Sequence, residues 1–257
     1  MCGRYSLFFD DEYNRDISEI IKLIKSKYGQ IDVKSGEIFP TNTAPVLVEQ
    51  NSSVTPVPYK WGFPNFRNKG VIINARAETA EEKKTFKDSL LNRRCVIPST
   101  GFYEWDKSKQ KYLFNIQGSN ALYMAGFYNF FKDEPRFIIL TTSANSSVSS
   151  IHHRMPVVLE KQQIEDWITD TDKAVSILHN TPPSLIHTSV NSKINTLFFS
   201  LYLYKYSILY LTFPCHIDAG PIALTLIHLL VLKMFLFETE SCLLYTSPSP
   251  RDISGSR

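Results

Sequence analysis

The sequence predicts an α+β fold built on a curved or barrel-like, mostly antiparallel β-sheet with a few peripheral helices. Three observations predict it. First, the six runs PVLVEQ, RCVIPS, GFYEWD, KYLFNI, ALYMAGFY and RFIILTT are rich in aromatic and branched residues and are separated by Gly, Pro, Asn or Lys-rich turns. Second, only three stretches read as helices. Third, 43% of the 257 residues are hydrophobic, enough for a core without covalent staples. Many strands with few helices give sheet-dominated architecture.

The first helix is predicted from Asp11 to Tyr28, where Tyr13, Ile17, Ile20, Ile21, Ile24 and Tyr28 fall on one face and Gly29 ends it. A second is predicted to begin at Thr79, which forms a capping-box pattern with Glu82, and to bury Phe86 and Leu90. A third is predicted from Lys161 to Thr169.

Residues 2–195 read as one domain. After Asn195 the composition changes to two near-continuous apolar runs, NTLFFSLYLYKYSILYLTF and AGPIALTLIHLLVLKMFLF. Each approaches the length of a membrane span, but Lys205, His228 and Lys233 interrupt them, so no membrane partner is expected. The ending CLLYTSPSPRD resembles translated sequencing-adapter DNA, and residues 196–257 are set apart as a non-native tail of noncoding or adapter-like origin.

A formal net charge of +3 is too mild to identify a nucleic-acid partner, because phosphate binding needs a local basic patch. The four cysteines, Cys2, Cys95, Cys215 and Cys242, form no CxxC pair and no His/Cys cluster at ligand spacing. Neither a disulfide framework, nor a metal site, nor a cofactor is expected. The N-terminus lacks the basic-then-apolar signature of a signal peptide.

Cys2 carries the most specific chemistry. A small residue after the initiator Met generally permits its removal, which leaves an α-amine and a thiol on one residue. The amine, with an ordinary pKa of about 8, is substantially neutral near physiological pH and attacks aldehydes to form imines. The thiol then closes a five-membered thiazolidine. On position alone, a plain small hydrophobe is the better reading of Cys2.

Four separated motifs reverse that preference: CGRYSL at Cys2–Leu7, INARAET at Ile73–Thr79, CVIPSTGFYEW at Cys95–Trp105 and HHRMPVVL at His152–Leu159. Together they resemble the SOS-response-associated peptidase (SRAP) family over about Cys2 to Asn195. The resemblance implies an SRAP-like fold and covalent capture, through Cys2, of abasic sites in single-stranded DNA, protecting the lesion during the DNA damage response. It also implies that Asn74, Glu104 and His152 line the site around Cys2.

Their residue types suit those roles. Glu104 can hold or relay a proton, and burial beside Phe102, Tyr103 and Trp105 would raise its pKa toward that task. A solvent-facing strand carboxylate is the competing reading. His152 can protonate the sugar oxygen as the lesion opens to its aldehyde. His153 stands beside it where the family commonly has an acid, and the H-x-R-M-P spacing selects His152. Asn74 can orient the Cys2 backbone or the substrate through its amide.

For DNA contact the motif positions nominate Arg4, Arg76 and Arg154 as phosphate ligands, with Lys84 a weaker candidate. Trp61, with Phe63 and Pro40, is expected to wedge against bases flanking the lesion, and Thr141 to hydrogen-bond a phosphate or sugar. The resemblance implies a monomer, cytoplasmic and nucleoid-associated in a bacterium or nuclear in a eukaryote. Two other readings stay open. One is an N-terminal-nucleophile hydrolase or autoprotease in which the Cys2 thiolate attacks a peptide bond, and the other is a reversible reader of modified bases.

Overall fold

Five strands of the larger sheet close on themselves into a ring, in a computed structural model that describes residues 2–9, 14–29, 31, 33–65 and 69–190. The tail beyond Asn195 and the predicted helix start at Asp11 lie outside the described residues. In chain order the elements begin β1 (Arg4–Leu7), α1 (Arg15–Tyr28), β2 (Gly36–Ile38), β3 (Thr43–Gln50), β4 (Ser53–Trp61), β5 (Phe63–Pro64), β6 (Val71–Ile72) and β7 (Asn74–Arg76). The next are α2 (Ala77–Ala80), α3 (Lys84–Asn92), β8 (Arg94–Ser99), β9 (Gly101–Trp105), β10 (Lys111–Asn115), β11 (Leu122–Phe131) and β12 (Glu134–Ser143). Last come β13 (Arg154–Pro156), β14 (Val158–Leu159), a 3-10 turn at Lys161–Gln163, α4 (Ile164–Thr169), α5 (Thr171–His179) and β15 (Ile186–Ser189).

The ring runs β12, β4, β3, β8, β11 and back to β12. All its pairings are antiparallel except β4 with β12, and β7 also joins β12 in parallel. A second sheet, in the order β15-β10-β9-β1-β2, is wholly antiparallel. The sequence therefore predicted the class and the sheet character, and the closure supplies the barrel.

The β3–β4 hairpin turns at Asn51 and Ser52, both with positive φ, as a two-residue turn with left-handed central residues requires. Alternation from the Gln50–Ser53 pair places Pro56 and Pro58 at positions whose backbone nitrogens point away from β3. β12 pairs with β4 only at Lys60 and Trp61, so the missing N–H groups cost that side no ladder bond.

Helix α1 buries Ile17, Ile21 and Ile24, ends at Gly29 with φ +75°, and carries Lys25 and Lys27 where the helix dipole favours cations. Thr79 does not start the second helix. The chain leaves β7 through extended Arg76 directly into α2, so Thr79 lies inside that turn, and α3 begins five residues later at Lys84. Phe86 and Leu90 are buried as expected. The third helix matches its predicted span as a 3-10 turn plus α4, with a capping box between Glu160 and Gln163.

Trp61 is a correction. Its indole is fully buried, stacked on Phe137 at 6.3 Å and tilted against Tyr5 at 5.2 Å, with Nε1 donating to the Ile73 carbonyl at 3.0 Å. Core packing and a satisfied N–H fix the ring, so no face of it is open to a base. Phe63 is likewise buried, against Phe127 and Phe131.

Candidate active site around Cys2

β1 pairs antiparallel with β9, Arg4 opposite Tyr103, so the chain before Arg4 runs alongside the Glu104–Trp105 end of β9 and brings Cys2 within reach of the Glu104 charge. The β9 strand starts at Gly101 with φ +149°, where an added Cβ would stand 2.6 Å from the Phe114 carbonyl oxygen. Only glycine permits that approach, so the residue that opens the GFYEW motif also fixes where Glu104 points.

Cys2 is fully buried, with Sγ 3.7 Å from the Arg4 carbonyl oxygen. Burial first, and the Glu104 charge second, push its thiol well above the ordinary range. Asn74, at the start of β7, donates through Nδ2 to the Cys2 carbonyl at 2.8 Å, and its Oδ1 is buried with no hydrogen-bond partner. Glu104 is 1% exposed, which removes the solvent-facing reading of that carboxylate. Its Oε1 lies 3.7 Å from His152 Nδ1.

His152 is buried, and its Nδ1 sits 3.0 Å from the Arg154 carbonyl oxygen and 3.1 Å from the Arg154 nitrogen. A protonated Nδ1 donates to that carbonyl, whereas a bare Nδ1 accepts from that N–H. Either protonation state therefore finds a partner, as a group that exchanges a proton requires. His153 is exposed, its ring tilted by 33° against that of His152 with centroids 4.5 Å apart. Cys2, Asn74, Glu104 and His152, distant in sequence, thus stand together.

The nominated DNA ligands divide. Arg76 at the end of β7 and Lys84 at the start of α3 are exposed, and Pro40 is half-buried beside exposed Phe39. The Arg4 side chain, 42% exposed, pairs with Glu37 at 3.2 Å and sits over the Phe39 and Trp105 rings at 4.7 and 5.2 Å. Arg154 is 8% exposed and grips both Glu78 oxygens, at 2.5 and 2.9 Å, and the Thr141 carbonyl at 2.6 Å. Thr141 is fully buried and its hydroxyl donates to the Ala75 carbonyl at 3.3 Å, so it offers nothing to a phosphate or sugar. Both residues serve inside the protein, because a carboxylate already answers the guanidinium and a backbone oxygen the hydroxyl.

Sequence reasoning overlooked Glu78, although it lies inside the INARAET motif. It also overlooked a cluster in which Glu37 bridges Arg4 and Lys111 while Lys111 lies 3.9 Å from the Tyr103 ring. Among the described residues no group of His, Cys, Asp and Glu is arranged to hold a metal ion. No helix among them is long and apolar enough to cross a membrane.

The family model of the SOS response associated peptidase (SRAP) matches residues 1–197. The chain is 32% identical over 202 residues to the abasic site processing protein YoqW of Bacillus subtilis, covering 69% of this chain and 86% of that protein. It is 25% identical over 185 residues to the abasic site processing protein YedK of Escherichia coli, covering 65% and 79%. Crystal structures of proteins from Bacteroides thetaiotaomicron and Bordetella bronchiseptica share the fold, each with a TM-score of 0.60, at 22% and 19% identity. They align with 76% and 74% of this chain and with 94% and 100% of their own. On the match along residues 1–197 and the relatives that share it, this chain belongs to the SOS response associated peptidase family.

Proposed function

We propose that this protein processes abasic sites by capturing the ring-opened aldehyde of the lesion in single-stranded DNA on Cys2, as a thiazolidine crosslink. The names of its relatives support the abasic site as the target. The observation that carries the chemistry is the arrangement of buried Cys2, held through its carbonyl by Asn74, beside the Glu104–His152 pair.

Removal of Met1 frees the Cys2 α-amine. Its nitrogen attacks the aldehyde carbon, and the carbinolamine loses the former aldehyde oxygen as water to give an imine. The thiol then adds across the C=N bond, with sulfur bonding to carbon and the thiol proton ending on nitrogen. One water is lost overall. His152 delivers the proton that opens the sugar ring, and Glu104 takes up and returns protons at the amine and the departing water.

The raised thiol pKa favours this order of events over the N-terminal-nucleophile hydrolase reading. A peptidase needs a thiolate, and both burial and the neighbouring carboxylate oppose one. A thiol that adds to an imine brings its own proton. The exposed Arg76 and Lys84, with the half-buried Arg4 that pairs with Glu37, remain to meet the phosphates of the flanking strand.

The test is intact mass spectrometry of the Met1-processed full chain after incubation with an abasic single-stranded oligonucleotide. The expected adduct is protein plus DNA minus one water, absent with an undamaged strand and absent for Cys2→Ala. Crosslinking by Cys2→Ala would overturn the proposal, and turnover of peptides with no adduct would favour the hydrolase.

A further inference from the structure

We infer that Glu78 is a positioning residue for the reaction at Cys2, holding Arg154 so that its backbone presents a donor and an acceptor to His152 and its charge stays balanced beside the imidazole. The inference rests on the proposed capture of abasic sites.

The geometry forms a continuous chain. Glu78 lies in α2, four residues after Asn74, and its two oxygens receive NH1 and NH2 of Arg154 at 2.5 and 2.9 Å. The Thr141 carbonyl on β12 takes a further bond from NH2 at 2.6 Å. A buried guanidinium fixed at three acceptors fixes the backbone that bears it. That backbone offers His152 Nδ1 a donor, the nitrogen at 3.1 Å, and an acceptor, the carbonyl oxygen at 3.0 Å. The same short segment therefore holds the Cys2 carbonyl through Asn74 and the His152 partner through Glu78.

The electrostatics follow. His152 faces the Glu104 carboxylate at 3.7 Å and the His153 ring at 4.5 Å, buried Cys2 stands beside the same Glu104, and the Arg154 cation is carried two residues along the chain. An uncompensated Arg154 would oppose protonation of His152, and Glu78 cancels it. The Arg154 bond in turn holds the Glu78 carboxyl low, at about 2, so the neutralising charge persists across the whole working range of pH.

The experiment measures the crosslinking rate against pH with an abasic single-stranded oligonucleotide, for the full chain and for Glu78→Gln, Arg154→Gln and the double variant, with thermal melts as a folding control. Glu78→Gln is expected to slow the reaction by on the order of tenfold through misplacement of the His152 partner. It is also expected to move the limb of the profile set by His152 to lower pH by about half a unit, because the unbalanced cation disfavours the imidazolium. In the double variant the rate stays low and the limb returns to its wild-type position, since the pair is again neutral. If Glu78→Gln does not fold, Glu78→Asp replaces it, retaining the charge with a shorter reach. The expected result is then a slower reaction with an unmoved limb, and a moved limb overturns the inference.

Glu78→Gln with the wild-type profile, or a double variant displaced as far as Glu78→Gln alone, would overturn the inference while wild-type crosslinking stands. Absence of any adduct from the wild-type protein would instead overturn the reading on which it rests.

Discussion

Asn74 donates from Nδ2 to the carbonyl oxygen of Cys2 across 2.8 Å, while the Oδ1 of the same amide is buried and accepts no bond. An unmatched buried acceptor costs about 1–3 kcal/mol. Its place beside Cys2 suits it to receive the α-amine or the carbinolamine hydroxyl once Met1 is gone. Asn74→Ala is expected to slow crosslinking by roughly ten- to a hundredfold, the equivalent of one lost hydrogen bond to a reacting group. Asn74→Asp is expected to be slower still, because its carboxylate sets a charged acceptor against the Cys2 carbonyl oxygen, which repels it. Single-turnover crosslinking rates with thermal melts check both, and an Asn74→Ala protein at wild-type rate would remove the residue from the mechanism.

Glu104→Gln tests the electrostatics of the pair without changing shape. Burial is the first cause of the raised Cys2 thiol and the Glu104 charge the second. Removing the charge is therefore expected to lower the thiol pKa while leaving it above the ordinary range, read from thiolate absorbance during a pH titration. The crosslinking rate is expected to fall at the same time, since the proton carrier is gone. A thiol pKa that rises in Glu104→Gln would mean the carboxylate does not face Cys2.

How much of this was legible in the sequence depends on how local each cause is. The runs that became β3, β8, β9, β10, β11 and β12 announced themselves because aromatic and branched residues fit a half-buried pleat whatever their partners. β4 did not, because Pro56 and Pro58 read as breakers, and only the register against β3 shows that they leave no ladder bond unmade. Helix α5 was missed although Asp170 caps it, accepting from the Lys173 nitrogen, since nine residues with a single buried stripe give a weak period. Cys2, Asn74, Glu104 and His152 were legible through their motifs, yet the distances joining them exist only in the fold. Trp61, Thr141 and Arg154 show the opposite failure. Residue type suggested DNA, but whether an indole, hydroxyl or guanidinium faces outward is decided by neighbours such as Phe137, Ala75 and Glu78 that no local pattern reveals.

Arg94 gives a stability prediction with no bearing on the chemistry. Its buried guanidinium donates to the carbonyl oxygens of Leu90 and Leu91 at 3.1 and 2.6 Å and of Trp167 and Ile168 at 2.6 and 3.3 Å. It thereby closes the C-terminal ends of α3 and α4, where orphan carbonyls and the helix dipoles both favour a cation. Arg94→Met fills the volume but abandons four acceptors, and a loss of about 3–5 kcal/mol in urea unfolding is expected. Arg94→Lys, with a single ammonium that cannot reach both helix ends, should recover only part of it.

Gly101→Ala is expected to destabilise the domain by at least about 1–3 kcal/mol, combining a backbone angle that side chains avoid with a contact of 2.6 Å to the Phe114 carbonyl. The consequence for function should exceed that for a comparably unstable core variant, because relief of the clash shifts β9 and with it Glu104. The comparison is with Phe86→Leu, matched for unfolding free energy. Equal crosslinking rates in the two would show that Gly101 serves stability alone.

Glu78 also sets part of the acid limit of the fold. Its carboxyl is held at about 2 by the Arg154 bond, against an ordinary value of 4.5. A folded-state pKa below the unfolded one means that the unfolded chain binds the proton first. The stabilisation is therefore complete above about pH 5 and is lost as pH falls from there toward 2. With the side chain 44% exposed, solvent screening reduces the contribution to about 1 kcal/mol. The difference in unfolding free energy between wild type and Glu78→Gln should thus be constant at neutral pH and shrink steadily between pH 5 and 2. A difference that stays constant to pH 2 would mean the carboxylate titrates alike in both states, and that the Glu78–Arg154 bond does not persist in solution.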